Sequence, residues 1–198
     1  MSSALKSTFP CIETLLCQNG LVHHLAWHQA RVNRTQDEYY KSKQTLSLAS
    51  ALNPPKEGVY RARVTYAEVL QCIEYLPYTP KAIHSIGLVE SFVEYDYKYA
   101  DRRALQALIP LECDDVLITC NNELKDITIA NIALWVDGVW LTPQHPLLHG
   151  TTRARLLASG FLKASYLSIQ SLKKAQKFAI MNALVGFKII DRLSIKGL

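Results

Sequence analysis

Along residues 59–66 the side chains alternate with period two. Tyr60, Ala62, Val64 and Tyr66 fall on one face, and Arg61, Arg63 and Thr65 on the other. That alternation predicts a strand with one buried face. Residues 12–18 and 21–25 are two shorter apolar runs separated by Asn19-Gly20. An Asn-Gly pair so placed predicts a hairpin, because both central residues must accept positive φ. Residues 27–40, rich in Gln, Arg and Glu and free of Gly and Pro, read as a helix. Residues 42–50 read as a second helical stretch, broken by Asn53-Pro54-Pro55-Lys56-Glu57-Gly58. Residues 69–75 and 82–89 read as strands, and their spacing after 59–66 suggests an antiparallel meander.

The texture changes after Glu90. Tyr95-Asp96-Tyr97-Lys98-Tyr99 leads into a predicted helix over 100–109, closed by Pro110. Residues 115–120 read as a buried strand turned by Asn121-Asn122, and 127–136 as another. Asp137-Gly138 predicts a second hairpin, into residues 139–143. A helix is predicted to start after Gly150 and stop at Gly160. A segment at 166–170, a helix over 171–184 and a segment at 187–195 complete the pattern. There is no internal repeat. The boundary falls near residues 88–91, giving a small N-terminal α+β subdomain, 1–88, and a larger C-terminal one, 89–198.

The chain has 198 residues, 49% hydrophobic and 20% charged, which excludes a disordered chain and supports a real core. No apolar run approaches the roughly 18 residues needed to span a bilayer. Met1 to Lys6 opens no stretch of signal-peptide length. The net charge of +5 permits anionic ligands without demanding nucleic acid, because the basic residues are scattered. Lys173-Lys174-Ala175-Gln176-Lys177 reads as a solvated helix face. The five cysteines are odd in number and none forms a CxxC pair, so they read as reduced, mostly buried residues of a cytosolic protein. His24 and His28 suit one helix face, but no acidic partner of the zinc-protease type lies between them, and no metal site is expected.

Four positions carry candidate chemistry. Lys98, flanked by three tyrosines and Asp96, is either a snorkelling lysine or one whose amine acts as a nucleophile. Gly150-Thr151-Thr152-Arg153 opens a helix and is either an ordinary cap or a phosphate cradle. Asp126, five residues before Asn131, is either a turn aspartate or the partner of a protonated ring nitrogen. Arg31 is either a surface arginine or a phosphate clamp. An anchoring lysine, a phosphate cradle, a ring-nitrogen carboxylate and a clamping arginine are together what pyridoxal 5′-phosphate needs.

The order and spacing of these segments, from about residue 13 to 187, resemble the fold-type IV, or class IV, aminotransferase family. That family includes branched-chain and D-amino-acid aminotransferases and aminodeoxychorismate lyase. Glu13-Thr14, Asn19-Gly20 and His28-Gln29-Ala30-Arg31 resemble its opening strand pair and first helix. Tyr97-Lys98-Tyr99-Ala100-Asp101-Arg102 resembles its lysine segment, with Asp101 in place of the usual Asn. Asp126 to Asn131 is similar to its Glu-x-x-x-x-Asn segment, with Asp for Glu. Trp140-Leu141-Thr142-Pro143 and Leu147 to Arg153 are similar to its phosphate turn, and Asn182-Ala183 to a late Asn-containing segment. The resemblance implies that Lys98 is catalytic and holds pyridoxal phosphate. It implies cofactor contacts from Arg31, Asp126, Asn131, Leu148, Thr151, Thr152 and Asn182. Arg61 and Arg63 are either substrate-carboxylate ligands or a solvated strand face.

The fold so implied is α+β or α/β, a two-subdomain D-amino-acid aminotransferase-like fold with a shortened N-terminal subdomain. It carries a trimmed substrate side and an intact cofactor side, the latter in the C-terminal subdomain. Tyr60-Arg61-Ala62-Arg63-Val64, Tyr75-Leu76-Pro77-Tyr78 and the Lys98 segment resemble the lyase members most. The implied reaction is conversion of 4-amino-4-deoxychorismate to 4-aminobenzoate and pyruvate, in a cytoplasmic homodimer serving folate biosynthesis. The alternatives are an aminotransferase acting on branched-chain or D-amino acids, and a non-catalytic member that keeps the fold. The implied partner is a small amino substrate bearing carboxylates, with no nucleic acid and no membrane.

Overall fold

The computed structural model describes residues 9–198, so the reading of Met1 to Lys6 lies outside the described residues. The chain divides into two compact units. One comprises residues 9–78 of the described chain together with 97–101, and the other residues 79–96 and 102–198.

The first unit is a four-stranded antiparallel sheet covered by a helix. β1 (Cys11–Gln18) and β2 (Leu21–Val22) form the expected hairpin, with Asn19 and Gly20 both at positive φ. α1 (Leu25–Thr35) follows and continues as one π-helical turn over Gln36–Tyr40. α2 (Leu48–Ala51) is all that forms of the second helical stretch. The segment before it is held by Gln29, whose side chain donates to the Leu46 carbonyl at 2.7 Å and accepts from the Leu48 N–H at 2.8 Å. Those bonds satisfy the backbone without a helix. β3 (Val59–Tyr66) and β4 (Leu70–Pro77) complete the sheet in the order β2-β1-β3-β4. The period-two reading of β3 holds, since Ala62, Val64 and Tyr66 are buried with Leu15, Cys17, Val32 and Leu48 in one core. Each large side chain so buried contributes about 1.5–3 kcal/mol.

The second unit holds a nine-stranded mixed sheet. β5 (Ser85–Glu90) pairs in parallel with β6 (Asp115–Cys120), across the short helix α3 (Arg103–Gln106). The expected three-strand meander therefore ends at β4. β5 belongs to the larger sheet, and the division falls near residue 78, about ten residues earlier than residues 88–91. The predicted helix over 100–109 shrinks to α3 because the chain before it pairs with β1. Ile12 N–H donates to the Lys98 carbonyl and Ala100 N–H to the Pro10 carbonyl, each at 2.8 Å.

β6 turns through Asn121 and Asn122, both at positive φ, into β7 (Glu123–Ile127). Thr128 and Ile129 then turn β7 into β8 (Ala130–Val136), where one strand over 127–136 was expected. Asp137-Gly138 makes the expected hairpin into β9 (Val139–Pro143). α4 (Thr151–Ala158) follows, with Gly150 as its N-cap and Gly160 at φ 75° ending the turn after it.

β10 (Lys163–Ser165) and α5 (Ile169–Lys174) come next, and then β11 (Lys177–Asn182) replaces the rest of the helix predicted over 171–184. The reason is two-sided burial. Phe178 and Ile180 enter one core, Ala179 and Met181 another, so the run is apolar without alternation. Such a run does not distinguish a buried strand from a buried helix. β12 (Gly186–Ile189) pairs with β11, and β13 (Ser194–Lys196) with β5. Of the cysteines, Cys11 and Cys17 are buried, Cys113 and Cys120 half-buried and Cys72 exposed, so fewer are buried than expected. Among the described residues no helix is long and apolar enough to cross a membrane.

Candidate cofactor site

In the second unit the turn at Thr128-Ile129 changes the meaning of the Asp126 to Asn131 spacing. Five residues apart along the chain, the two become cross-strand partners. Asn131 Nδ2 donates to Asp126 Oδ1 at 2.9 Å and to the Leu148 carbonyl at 2.8 Å, while Leu148 N–H donates to Asp126 Oδ2 at 3.0 Å. Both backbone groups of Leu148 are thus committed to the protein, and its place in the site is to tie down the loop before α4. Burial pushes the Asp126 carboxyl up to about 6, against the lowering effect of Asn131, the neighbouring backbone N–H groups and Arg153.

That loop delivers Gly150, Thr151 and Thr152. Gly150 brings no capping side chain, and the first intrahelical bond of α4 runs from Ala154 N–H to the Gly150 carbonyl at 2.9 Å. The first-turn amides therefore have no side-chain cap, and the positive end of the helix lies beside two buried threonines. This donor chemistry fits a phosphate. Arg153, though buried, turns away from that role, with Nε donating to Thr142 Oγ1 at 3.3 Å and Nη2 to the Pro143 carbonyl at 2.7 Å. Asn182 accepts from Leu184 N–H and Val185 N–H at 2.9 and 3.0 Å and donates to the Ile129 carbonyl at 3.1 Å. It shapes the β11–β12 turn and ties it to the turn between Asp126 and Asn131.

In the first unit Lys98 is half-buried in the segment that pairs with β1. Its neighbours Tyr97 and Tyr99 pack against Tyr39, one tilted and one edge-on, with ring centroids at 4.7 and 5.6 Å, which helps hold the backbone on both sides of the lysine. Arg31 lies on the buried stripe of α1 formed by His28, Arg31, Val32 and Thr35. Its guanidinium grips Glu13, with Nε on Oε1 and Nη2 on Oε2, both at 2.7 Å, and His28 Nδ1 lies 2.6 Å from Oε2. Arg31 is therefore not a surface residue. From the sequence, Glu13 and His28 read only as parts of the opening strand and first-helix segments, and neither is expected to bind Arg31. The signal was a carboxylate on the inward face of β1, between Cys11 and Leu15, and a histidine one helical turn before Arg31. Arg61 and Arg63 share the other face of β3, and Arg63 Nη1 lies 3.9 Å from Glu74 Oε2. Among the described residues no group of three His, Cys, Asp or Glu side chains is arranged to hold a metal ion.

Comparison with known proteins places the chain in a family. The family model for amino-transferase class IV matches residues 96–193. An uncharacterised protein of Haemophilus influenzae (strain ATCC 51907 / DSM 11121 / KW20 / Rd) is 29% identical over 186 residues, covering 90% of this chain and 99% of that protein. The crystal structure of a proposed 4-amino-4-deoxychorismate lyase from Haemophilus somnus 129PT superposes with a TM-score of 0.81 at 30% identity, covering 90% of this chain and 97% of that one. A proposed amino-acid aminotransferase from Mesorhizobium loti shares the fold, with a TM-score of 0.78 at 24% identity over 94% of this chain and 99% of the other. The mixed α/β fold expected from the resemblance is the fold found, and the chain belongs to the class IV aminotransferase family of pyridoxal-phosphate-dependent enzymes.

Proposed function

We propose that this protein is a pyridoxal-phosphate-dependent lyase that converts 4-amino-4-deoxychorismate to 4-aminobenzoate and pyruvate. The observation that carries the choice of reaction is the 30% identity with the proposed lyase of H. somnus, sustained over 97% of that chain. The uncapped start of α4 supports binding of the cofactor phosphate. A homodimer, a cytoplasmic location and a place in folate biosynthesis belong to the same reading and rest on the family resemblance.

When bound, pyridoxal phosphate supplies an electron sink for charge developing at the substrate carbon. The α4 amides and Thr152 would bind its phosphate. Asp126 holds a proton at the pyridine nitrogen, and Asn131 keeps that carboxylate in place. Lys98 would hold the cofactor and would serve as base at the carbon bearing the substrate amine. The enolpyruvyl group leaves, takes up a proton and becomes pyruvate, and the ring becomes aromatic, which drives the step. Arg61 and Arg63 orient the two substrate carboxylates.

An absorbance titration of purified protein with pyridoxal phosphate tests the cofactor. The reading expects a visible band that Lys98→Ala abolishes. A band that survives the substitution, or no band at all, sinks it and leaves the non-catalytic alternative. Pyruvate release from aminodeoxychorismate then tests the reaction. Keto-acid formation from branched-chain or D-amino acids without pyruvate release would assign an aminotransferase instead.

A further inference from the structure

Three two-residue hairpin turns in this chain, Asn19-Gly20, Asn121-Asn122 and Asp137-Gly138, have positive φ at both positions, which matches the twist of the strands they join. The Thr128-Ile129 turn is different. It links Ile127 to Ala130 through two β-branched residues, and neither has positive φ. Such a turn splays its strands unless something holds it. On one side Thr128 and Ile129 line a cavity with Lys81, Arg102, Gln106 and Asp115, so apolar packing does not hold it there. Polar side chains do. Asp115 Oδ1 accepts from Thr128 N–H at 3.0 Å, and Arg102 Nη2 donates to the Thr128 carbonyl. Asp115 is itself buried and fixed, because the same oxygen accepts from Val116 N–H at 2.8 Å. Both backbone groups of Thr128 are thus gripped, one from β6 and one from the residue before α3. Two pairs out from the turn, Asp126 meets Asn131 at 2.9 Å and Leu148 N–H at 3.0 Å. Splayed strands would misalign those bonds, and hydrogen bonds weaken steeply when misaligned.

We infer that Asp115 and Arg102 are positioning residues, which clamp Thr128 so that the Asp126 carboxylate is held in one place for the ring nitrogen of the cofactor. The inference rests on the cofactor reading above and adds to it two residues to which no role had been assigned. Every residue in this chain of contacts lies in the second unit. Asp115 and Arg102 act through the turn, so their loss is read at the Leu148 amide and in recognition of the ring nitrogen, not in stability alone.

The test compares the wild-type protein with Asp115→Ala, Asp115→Asn and Arg102→Lys. Thermal melts record which variants fold, and Arg102→Lys decides the matter if Asp115→Ala does not. In the ligand-free protein, hydrogen exchange of Leu148 N–H, which donates to Asp126 Oδ2, reports where that carboxylate sits. Asp115→Ala and Arg102→Lys are expected to speed it about tenfold or more relative to the amides of β8, the size of one lost hydrogen bond to a charged group. Asp115→Asn keeps an acceptor oxygen and should restore protection to within about twofold. Absorbance titrations then compare pyridoxal phosphate with its 1-deaza analogue, in which carbon replaces the ring nitrogen. The wild type should prefer pyridoxal phosphate, and Asp115→Ala and Arg102→Lys should lose about fivefold or more of that preference. A folded Asp115→Ala or Arg102→Lys in which Leu148 exchanges as in the wild type, or only in step with β8, overturns the inference. So does equal weakening of both ligands, or a wild type that binds both equally. A wild-type protein that binds neither overturns the cofactor reading itself, and the role toward the ring with it.

Discussion

A β-carbon built on Gly150 would lie 1.9 Å from Asn131 Oδ1 and 3.1 Å from its Cγ. Gly150 has φ −67° and ψ 144°, which any residue adopts, so its lack of a side chain serves the contact and not the backbone. Asn131 cannot move aside freely, because its Nδ2 holds both Asp126 and Leu148. Gly150→Ala is therefore expected to destabilise by about 1–3 kcal/mol, the range for overpacking a filled site. Gly138→Ala is the control. Nothing lies within 4 Å of its β-carbon, and only its φ of 81° opposes the change. Denaturant melts of both variants check the order, and an unchanged midpoint for Gly150→Ala would contradict the contact.

Asp126 and Glu13 predict opposite pH dependences in the ligand-free protein. Burial raises Asp126 from an ordinary 3.8 to about 6, so the folded state holds the proton more tightly than the unfolded state. Its contribution to stability is complete below 3.8 and is lost as pH rises through 6. Burial also opposes ionisation of Glu13, but Arg31 and His28 outweigh it and bring the carboxyl from 4.5 down to about 2. That contribution is present above 4.5 and is lost as pH falls through 2. Unfolding free energies should show the wild type losing ground to Asp126→Asn between about pH 4 and 6. They should show it gaining on Glu13→Gln between about pH 2 and 4.5. Parallel profiles for wild type and either variant would exclude that assignment.

Local chemistry was legible where it decides structure. The Asn-Gly, Asn-Asn and Asp-Gly turns need no partner to accept positive φ, and the alternation of β3 reports its own buried face. The helices expected at 42–50, 100–109 and 171–184 formed only in part, for non-local reasons. Gln29 holds the first segment from α1, β1 claims the second, and two cores on opposite faces claim the strand that replaces most of the third. The site divides in the same way. Thr151 and Thr152 follow from a glycine before a helix. Asp126 and Asn131 become a pair only through a turn that the unbroken run of residues concealed. Glu13 and His28 gain meaning only once strand and helix face each other across the core of the first unit.

The thiols should separate by burial. Cys72 is exposed, Cys113 and Cys120 are half-buried, and Cys11 and Cys17 are buried. Burial pushes the Cys11 thiol up to about 11, against a hydrogen bond with Tyr40, and raises Cys17 as well. Since the thiolate is the reactive form, both should resist modification near neutral pH. A chromogenic disulfide reagent is expected to give one fast thiol, removed by Cys72→Ser, and to reach Cys11 and Cys17 only in denaturant. Rapid reaction of all five in the folded protein would contradict this core.

Arg61 and Arg63 share a face of β3 but face different neighbours. Arg63 lies opposite Glu74 on β4, with Nη1 3.9 Å from Oε2, whereas Arg61 lies opposite Leu76. Glu74 competes with any anion for Arg63 and repels it, and no carboxylate does so from the position opposite Arg61. If this face binds the substrate carboxylates, Arg61→Ala should raise KM by about tenfold to a hundredfold, the equivalent of one charge-assisted hydrogen bond. Arg63→Ala should raise it less, and Glu74→Gln should lower it. The value of kcat should change little in each, because these contacts form before the bond-breaking step and persist through it. Steady-state kinetics with the carboxylate substrate measures all three. Unchanged KM in both arginine variants would assign the face to solvent, and equal losses would show that Glu74 does not reach the bound anion.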